Sequence, residues 1–599
     1  HPVDRLIAAA EIEFAKTVKR ESKTVNDAAR AYRKRRRRHP PPGFEAWYNY
    51  AAEHGALIIE DFWDQIYHDL GPFWGVPPFT LRQQAHAIHP NISIRNGKVV
   101  NGGEHAWAVM IEELARAVKK WNGDGLPDMD IPININAEPA IIVSWETIDT
   151  ALSLARPIIP PATDVVTDFS GLGDFAAVND TFEPEWLGPR LTHPSNSRGP
   201  RPYWSLVRPA CHPKSPARGQ MTFNDIWHIH TFPGHEAVNL LPSGFPNGTK
   251  RSGGFVGNWT KVGDLCGRTE LQGLHGGFVR PEGMAASAKL FPLFAGSKFA
   301  VNNDILLPSV GDWNSSHFSP YSSSPSREGE RKPRLAYTPW KEKEDKLYWR
   351  GPATGGHNTE KNWNRFHRHR FVSMLNASQI SIAESDSSDP NSSVTGIGPA
   401  GNFRLPPGNP YRLHPLDMHS LAKWVESWAD VAFTDLRCDE LQDDCGCSYN
   451  GEFYGVKSAE EEKEVGKYKY TAVLDGNGGD DGGELSRKLK TGSTVLRASV
   501  YRQWYDARLV PWLHYVPVDN TFADLWGVMQ YFLTLSTPPG VGKNAGKHDD
   551  AARRIGQAGK AWADRVLRKE DTLIYVYRLL LEYVRVVDDR RERLGWVGD

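Results

Sequence analysis

The feature that most constrains the fold is an alternation of short apolar runs with helix-type segments. The runs lie at residues 107–111 and 139–143 in the first part of the chain, and at 468–474, 494–496 and 513–517 in the last part. Short apolar runs that alternate with helical segments are typical of buried strands in layered α/β folds. The sequence therefore predicts an α/β protein.

Composition excludes several classes of protein. The chain has 599 residues, which is more than one compact core normally holds. Its 71 basic and 72 acidic residues argue against a general nucleic-acid binder, which carries a strongly basic surface. A hydrophobic fraction of 40% excludes a wholly disordered chain. No stretch approaches the length of apolar sequence that crosses a bilayer, so no membrane span is predicted.

Breaks in the pattern divide the chain. Residues 2–38 have a helical pattern that ends in a basic run, residues 33–38, before Pro40. We predict this run to be a solvated helix end, with an acidic partner or a membrane surface as the alternative. Loop-type composition marks three further stretches: residues 168–254, 315–332 and 385–410. The second stretch is the best linker, so two α/β halves joined near residue 330 are expected, followed by an amphipathic helical tail at 548–593.

Two weak signals agree on the cellular compartment. The cysteines Cys438, Cys445 and Cys447 have no zinc-site spacing, and with Cys211 and Cys266 they favour disulfides, with one thiol left over. Acceptor triplets for N-glycosylation occur at Asn91, Asn179, Asn247, Asn258, Asn314, Asn376 and Asn391. The sequence also starts at His1, without Met or a hydrophobic leader. We expect a protein of the secretory pathway whose targeting segment is absent from this chain.

A series of short segments carries a family resemblance. In chain order they are His1-Pro-Val-Asp4, Pro41-Pro-Gly-Phe44, Pro72-Phe-Trp-Gly75, Cys211-His-Pro-Lys-Ser-Pro-Ala-Arg218, Leu274-His-Gly-Gly-Phe278, Ser297-Lys298, Asp304-Ile-Leu-Leu-Pro308, Tyr348-Trp-Arg-Gly351, Thr354-Gly-Gly356, Tyr468-Lys-Tyr470, Asp475-Gly476, Pro511-Trp-Leu-His-Tyr-Val-Pro517 and Leu567-Arg-Lys-Glu-Asp571. The ordered set resembles the fungal capsule-associated glycosyltransferases, the family that also contains animal protein O-glucosyltransferases of the Rumi type.

The resemblance implies a GT-B architecture, in which two Rossmann-like domains face each other across a cleft. It divides the chain into a helical N-terminal region at 1–85, an acceptor-side domain at 86–330, a donor domain at 331–547 and C-terminal helices at 548–599 that pack back on the first domain. The implied activity is inverting transfer of xylose, or else glucose, from a UDP-sugar to a glycan or glycoprotein hydroxyl. The implied enzyme needs no metal or other cofactor, and it is a type II protein of the Golgi or ER lumen.

The resemblance also implies which residues bind the donor. A diphosphate leaving group requires positive charge or aimed N–H groups. Among three arginines that follow the Thr354 segment, Arg370 is favoured over Arg368, with Arg365 third, against the alternative of a basic surface helix. The implied donor-binding set is Ser297, Lys298, Arg350, Thr354, Gly355, Gly356, Arg368, Arg370, Asp475, Gly476, Ser486 and Arg487. On the acceptor side His275 is the cleft residue.

Two positions depart from the family pattern. The family places a catalytic Asp in a segment that here reads Asn136-Ala137-Glu138-Pro139, so Ala137 occupies the Asp position and Glu138 is the nearest carboxylate that could act as the base. In the donor half Glu484 falls where the family has an Arg, and Arg487 with Ser486 could replace it. Three readings follow in order: an enzyme that uses the replacements, a divergent transferase with another donor or mechanism, and a catalytically impaired protein that binds glycans.

Other groups of residues in the sequence are compatible with different chemistry. Asp128-Met-Asp130 could hold a metal beside a nucleotide diphosphate, but a structural turn is the favoured interpretation. The histidines at 228, 230 and 235 and the segment Phe366-His-Arg-His-Arg370 lack the spacing of a catalytic zinc site, and surface or cleft positions are expected. Glycoside hydrolysis is the rival enzyme class because it also needs paired carboxylates, but it has no use for the arginines and glycines of the second half.

Overall fold

The structure is a computed structural model that describes residues 1–103, 105–155, 157–172, 202–219, 254–282, 286–313, 338–388, 396–406, 411, 413–438, 447–459, 465–479, 482–533 and 547–598. The predicted linker at 315–332 lies outside the described residues, as do the histidines at 228, 230 and 235 and most of the loop-type stretch 168–254.

The second half is built on a five-stranded parallel sheet. Its strands are β7 (Glu344–Pro352), β8 (Ala429–Asp435), β9 (Tyr468–Leu474), β10 (Thr494–Ala498) and β12 (Val516–Pro517), in the order β12-β10-β9-β7-β8. Every residue of β9 and β10 is buried. Strands that are buried throughout are typical of sheets whose two faces are both covered.

The first half holds two smaller sheets. Strands β1 (Asn91–Arg95), β2 (Lys98–Asn101) and β3 (Met129–Pro132) are antiparallel, and β4 (Phe294–Ala295) is parallel to β6 (Ile305–Leu306). A parallel bridge from Ile133 to Phe294 joins the two groups. Strand β5 (Lys298–Phe299) pairs with β11 (Tyr501–Arg502) of the second half. The protein is therefore a mixed α/β protein with parallel sheet.

The helices surround these sheets. In chain order they are α1 (Pro2–Val18), α2 (Val25–Arg36), α3 (Phe44–Glu53), α4 (Asp64–Leu70), α5 (Pro78–Ala87), α6 (Ala106–Val118), α7 (Trp145–Leu154), α8 (Pro202–Ala210), α9 (Pro216–Gly219), α10 (Trp259–Val262), α11 (Gly276–Val279), α12 (Val310–Trp313), α13 (His367–Met374), α14 (Ala377–Ser388), α15 (His414–Asp417), α16 (Leu421–Trp428), α17 (Glu484–Lys490), α18 (Leu525–Leu533), α19 (Lys547–Val566) and α20 (Lys569–Val587). Short 3-10 helices lie at Glu60–Trp63, Gly71–Gly75, Ala162–Asp164, Thr269–Gly273, Trp340–Glu342, Trp363–Arg365 and Asp506–Arg508.

The two ends of the chain cross between the halves. Helix α1 buries Val3 and Ile7 in the core of the second half, and Tyr531 donates a hydrogen bond of 2.7 Å to Asp4. Helix α20 packs instead against α3, α4, α5 and α6, and Tyr583 donates to the carbonyl of Asp130 at 3.0 Å. These contacts tie the halves together at both ends.

The basic run at the end of α2 is solvated only in part: residues 34, 35 and 37 are exposed, as the sequence predicts, whereas residues 33, 36 and 38 are partly or fully buried. Arg36 donates hydrogen bonds to the carboxylates of Glu60 and Asp64, each at 2.8 Å. The acidic partners of Arg36 are therefore residues of this chain. Arg33 reaches the carbonyl of Val597 and Arg38 reaches Glu592. The run links the N-terminal helices to the helical turn at 60–64 and to the C-terminal segment.

The predicted strands have mixed outcomes. Tyr468–Leu474 is β9, and residues 494–496 lie in β10. Residues 107–111, however, lie in α6, because their apolar positions continue at helical spacing to Leu114 and Val118. Residues 139–143 form only an isolated bridge, and the loop-type stretch 385–410 begins inside α14.

Disulfides form as expected, between Cys211 and Cys266 and between Cys438 and Cys447. Because disulfides persist in oxidising compartments, they indicate the secretory pathway. Among the helices of the described residues, none has the length and apolar character that crossing a membrane requires.

Candidate functional site

The candidate site lies at the carboxyl edge of the parallel sheet. The chain leaves β7 through residues 354–356, leaves β9 through 475–479, and leaves β10 and β12 through 499–501 and 518–520. Loops at this edge are the usual ligand-binding positions in open α/β sheets. Helix α13 and the first-half segment 274–280 cover the edge.

Arg368 of α13 joins the ends of two strands. Its guanidinium donates to the carbonyls of Pro352, Leu474 and Asp475 and to the Thr354 hydroxyl, over 2.8–3.1 Å. The side chain is buried. Arg368 therefore acts within the fold as a clamp between β7 and β9, and α13 is not a basic surface helix.

Asp475 connects the two halves of the protein. Its Oδ2 accepts the N–H of Val500 at 2.7 Å and lies 3.3 Å from Nε2 of His275. Nδ1 of His275 accepts the N–H of Gly277, so Nε2 carries the proton and donates it to the carboxylate. Both side chains are buried.

Glycines allow the backbones of the two halves to touch. A Cβ on Gly276 would overlap the carbonyl oxygen of Gly355, and a Cβ on Gly356 would lie 2.8 Å from the carbonyl oxygen of Arg280. Gly355 and Gly356 have φ values of 100° and 127°, which side-chain-bearing residues rarely adopt. The side-chain oxygen of Asn477 accepts both of their N–H groups, at 2.7 and 3.1 Å. The predicted Thr354–Gly356 and Asp475–Gly476 segments therefore meet.

Arg370 is a buried and incompletely hydrogen-bonded cation at this edge. Its Nη2 donates to the carbonyls of Leu274 and Asn520, at 2.5 and 3.0 Å, and the side chain is fully buried. Within the described part of the chain, its Nε and Nη1 have no hydrogen-bond partner. Burial lowers the pKa of Arg370 to about 9, an effect opposed by the Asp519 carboxylate. A buried guanidinium with unused donors is costly unless an anion pairs with it.

Glu138 points inward, whereas Ala137 is exposed. Oε1 of Glu138 accepts the N–H of Glu282 at 3.0 Å, and its side chain is buried. Ala137 is exposed, its carbonyl accepts the Ser297 hydroxyl at 2.5 Å, and a Cβ on Gly478 would lie 2.6 Å from that carbonyl oxygen. The position expected to hold an Asp thus faces the loop after β9.

The loop between β9 and α17 leads to the other predicted replacement. Arg487 donates to the carbonyl of Gly482 at 2.6 Å and is partly exposed. Glu484, the residue that departs from the family pattern, is paired with Lys488 one helical turn later. Ser486 is buried and donates to the carbonyl of Leu567. The Glu484 charge is therefore neutralised within its own helix.

Two predicted residues are engaged away from this edge. The Lys298 ammonium is buried against the Asp69 carboxylate and the Asp304 carbonyl. Arg350 donates to the carboxylate of Asp430 at 2.6 Å, at the start of the neighbouring strand β8. In these positions both cations stabilise the fold.

The Asp-x-Asp triplet is held by the first-half sheet. Asp130 is buried and accepts hydrogen bonds from Arg95, at 2.8 and 2.9 Å, and from Ser93 at 2.6 Å. Asp128 accepts the N–H of Asn96 at 2.7 Å. These contacts agree with the structural interpretation of the triplet. In the described part of the chain, no three His, Cys, Asp or Glu side chains are grouped as metal ligands.

Two residues of the site were not singled out from the sequence. Tyr501 donates to the Asn477 carbonyl at 3.0 Å, and Asn520 bridges the carbonyls of Val262 and Ser499. Both follow a parallel strand, and that is the signal by which they could have been found.

The fold and this edge define a class: an α/β protein whose two halves meet over a glycine-lined loop cluster at the end of a parallel sheet. Residues 466–593 match Glycosyl transferase family 90. The match covers strands β9 to β12, helices α17 to α20 and the loop after β9. The chain therefore carries a Glycosyl transferase family 90 domain near its C-terminus, as the resemblance implied.

Proposed function

We propose that the protein is an inverting glycosyltransferase of GT-B architecture. It transfers a sugar, xylose in the first instance and otherwise glucose, from a UDP-sugar to a hydroxyl of a glycan or glycoprotein. It works in the lumen of the Golgi or ER, requires no metal, and in its full-length form is a type II membrane protein.

The observation that carries the proposal is the buried, incompletely bonded guanidinium of Arg370 at the carboxyl edge of the parallel sheet. A nucleotide diphosphate would supply the missing anion. The glycine segment at 354–356 lets a ligand approach the backbone closely, and the match to the glycosyltransferase family covers the neighbouring loop after β9.

In the proposed reaction the acceptor hydroxyl oxygen attacks the anomeric carbon of the donor sugar. The carbon–oxygen bond to UDP breaks, the diphosphate leaves with the electron pair, and the hydroxyl proton passes to the Glu138 carboxylate. Arg370 and Arg487 stabilise the charge that develops on the diphosphate, while Asp475 and Gly476 border the nucleoside. Arg350 supports β7 through Asp430.

A glycan-binding protein without transferase activity is the second candidate function. Ala137 is exposed at the position where the family has its Asp, and Glu138 is turned toward the Glu282 backbone. A protein that kept its sugar contacts but lost its base would have this arrangement. To act as base, Glu138 must present one of its carboxylate oxygens to the acceptor hydroxyl.

The test is a titration of the protein with UDP, with and without EDTA, followed by a screen of UDP-sugars for donor-dependent release of UDP. Micromolar binding that EDTA leaves unchanged, with release from one donor, supports the proposal. Glu138→Gln should keep UDP binding and lower release by about 100-fold, within the usual contribution of a general base. Retained glycan binding without UDP binding under any metal condition would favour the second candidate.

A further inference from the structure

Three N-glycosylation triplets lie within the described residues, at Asn91, Asn258 and Asn376. Their structural environments differ sharply. An N-linked glycan is bulky and hydrophilic, so its asparagine must remain at the surface of the folded protein.

Asn91 cannot carry a glycan in this fold. It is the first residue of β1 and is 4% exposed. Its Nδ2, the atom that would hold the sugar, donates to the carbonyl of His86 at 3.1 Å, and its Oδ1 accepts from Asn101. A sugar on this nitrogen would break these bonds and displace the start of the strand.

Asn376 is an intermediate case. It is partly buried, and its Oδ1 accepts the N–H groups of Ser378 and Gln379 at the start of α14. The proposal does not extend to this residue.

Asn258 has the geometry of a surface attachment point. Asn258 and Thr260 are exposed. Oδ1 of Asn258 accepts the N–H and the hydroxyl of Thr260, at 3.0 and 2.7 Å, and Nδ2 has no hydrogen bond to any residue that the structure describes. The carboxamide is therefore held by its oxygen alone.

Space for a sugar adjoins this nitrogen. Asn258 and Trp259 line an open cavity of about 760 Å³ between α1 and residues 502–512. The guanidinium of Arg497 covers the Trp259 ring at 4.6 Å, and the indole is partly exposed at the cavity wall. A first sugar at Asn258 would have solvent and an aromatic side chain beside it, without displacing backbone.

We propose that Asn258 carries an N-linked glycan. The linking bond joins its Nδ2 to the anomeric carbon of an N-acetylglucosamine; the oligosaccharide comes from a polyprenyl-diphosphate donor of the secretory pathway, whose diphosphate leaves as the amide loses a proton. This inference rests on the lumenal location given under the proposed function. It is tested separately from the UDP site, because attachment of a glycan at Asn258 requires no bound UDP.

The test is to produce the chain behind a cleavable signal peptide in a eukaryotic secretory host. The glycans are then removed by peptide-N-glycosidase in ¹⁸O-water, and the tryptic peptides are read by mass spectrometry. We expect ¹⁸O-labelled Asp at position 258 and unmodified Asn at 91. Thr260→Ala should remove the label and Thr260→Ser should keep it.

An unmodified Asn258 in the secreted, folded protein would overturn the proposal, as would a label that survives Thr260→Ala. Folding of each variant is checked by its urea unfolding midpoint. The UDP titration is run on the same samples. If Asn258 is unmodified and UDP still binds, the glycan proposal is refuted and the proposed transferase is not. If Asn258 is labelled and UDP does not bind, the proposed transferase is refuted and the glycan proposal is not.

Discussion

His275 donates from Nε2 to Oδ2 of Asp475 across 3.3 Å, joining the two halves of the protein. The same carboxylate oxygen accepts the N–H of Val500, the second residue after β10. Three segments that are distant in sequence are thereby fixed at one point: the loop before α11, the end of β9 and the end of β10. The loop at 475–479 owes its position to this carboxylate.

Removing the Asp475 carboxylate should therefore lower both the stability of the fold and the affinity for the donor. Asp475→Ala leaves the Val500 N–H and the His275 Nε2–H buried without an acceptor, each at about 1–3 kcal/mol. We expect the free energy of unfolding in urea to fall by about 2–6 kcal/mol by the same rule. Asp475→Asn retains one acceptor oxygen and should lose less. Equal stability of the Ala variant and the wild type would contradict the role given to Asp475.

Substitutions of Arg368 and Arg370 should have different effects. Loss of Arg368 should mainly lower stability, and loss of Arg370 should mainly weaken donor binding. Arg368 uses its donors on strand-end acceptors, so Arg368→Met should lower the free energy of unfolding by about 3–5 kcal/mol, the usual cost of breaking a buried charged contact. Arg370→Met removes a guanidinium with unused donors, so stability should change less. The dissociation constant for UDP should nevertheless rise at least tenfold, or about 1.4 kcal/mol. Calorimetric titration with UDP checks this, and unchanged affinity in Arg370→Met would refute the assignment.

Strands β9 and β10 could be predicted because they are buried on both faces. Residues 468–474 and 494–498 are continuously apolar or buried, so a short window is sufficient. Residues 107–111 fail the same reasoning, because the helical repeat becomes visible only when Leu114 and Val118 are included. For these segments, the number of neighbouring residues considered together therefore decided whether the strand prediction was confirmed.

The partners of the charged side chains could not be predicted. Arg368 bonds the carbonyls of residues 474 and 475, more than 100 positions along the chain, and Lys298 pairs with Asp69. Such pairings depend on how the halves come together, and local sequence carries no record of it. The sequence could indicate that cations gather near 350–370, but not which of them is already used by the fold.

Substitution of Ala137, which stands where the family has its Asp, tests for a catalytic base at this position by gain of function. A carboxylate there would face the loop that holds Gly478 and should serve as the base in place of Glu138. In the Glu138→Gln background we expect Ala137→Asp to raise donor-dependent UDP release at least tenfold, since a positioned base contributes about 10²–10⁴. Ala137→Asn is the matched control, and equal rates for the Asp and Asn variants would reject a base at this position.

The fall in the stability of the protein at acid pH should depend on His514. Its ring is buried, its Nδ1 accepts the N–H of Val510 at 2.9 Å, and it stacks on Trp562 with planes 8° apart. Burial lowers the pKa of His514 from its ordinary 6.5 to about 3. Between these values the unfolded chain binds a proton that the folded protein does not, so stability falls as the pH falls below 6.5.

The contribution of His514 is about 1.36 kcal/mol per pH unit, or about 2 kcal/mol between pH 6.5 and 5. His514→Phe keeps an aromatic ring against Trp562 but cannot be protonated, although it leaves the Val510 N–H without its acceptor. The variant should be less stable than the wild type at pH 7.5, and its unfolding free energy should fall by about 2 kcal/mol less on going to pH 5. All other titrating groups are common to both proteins, so identical pH dependence in urea unfolding would show that His514 is protonated in the folded state.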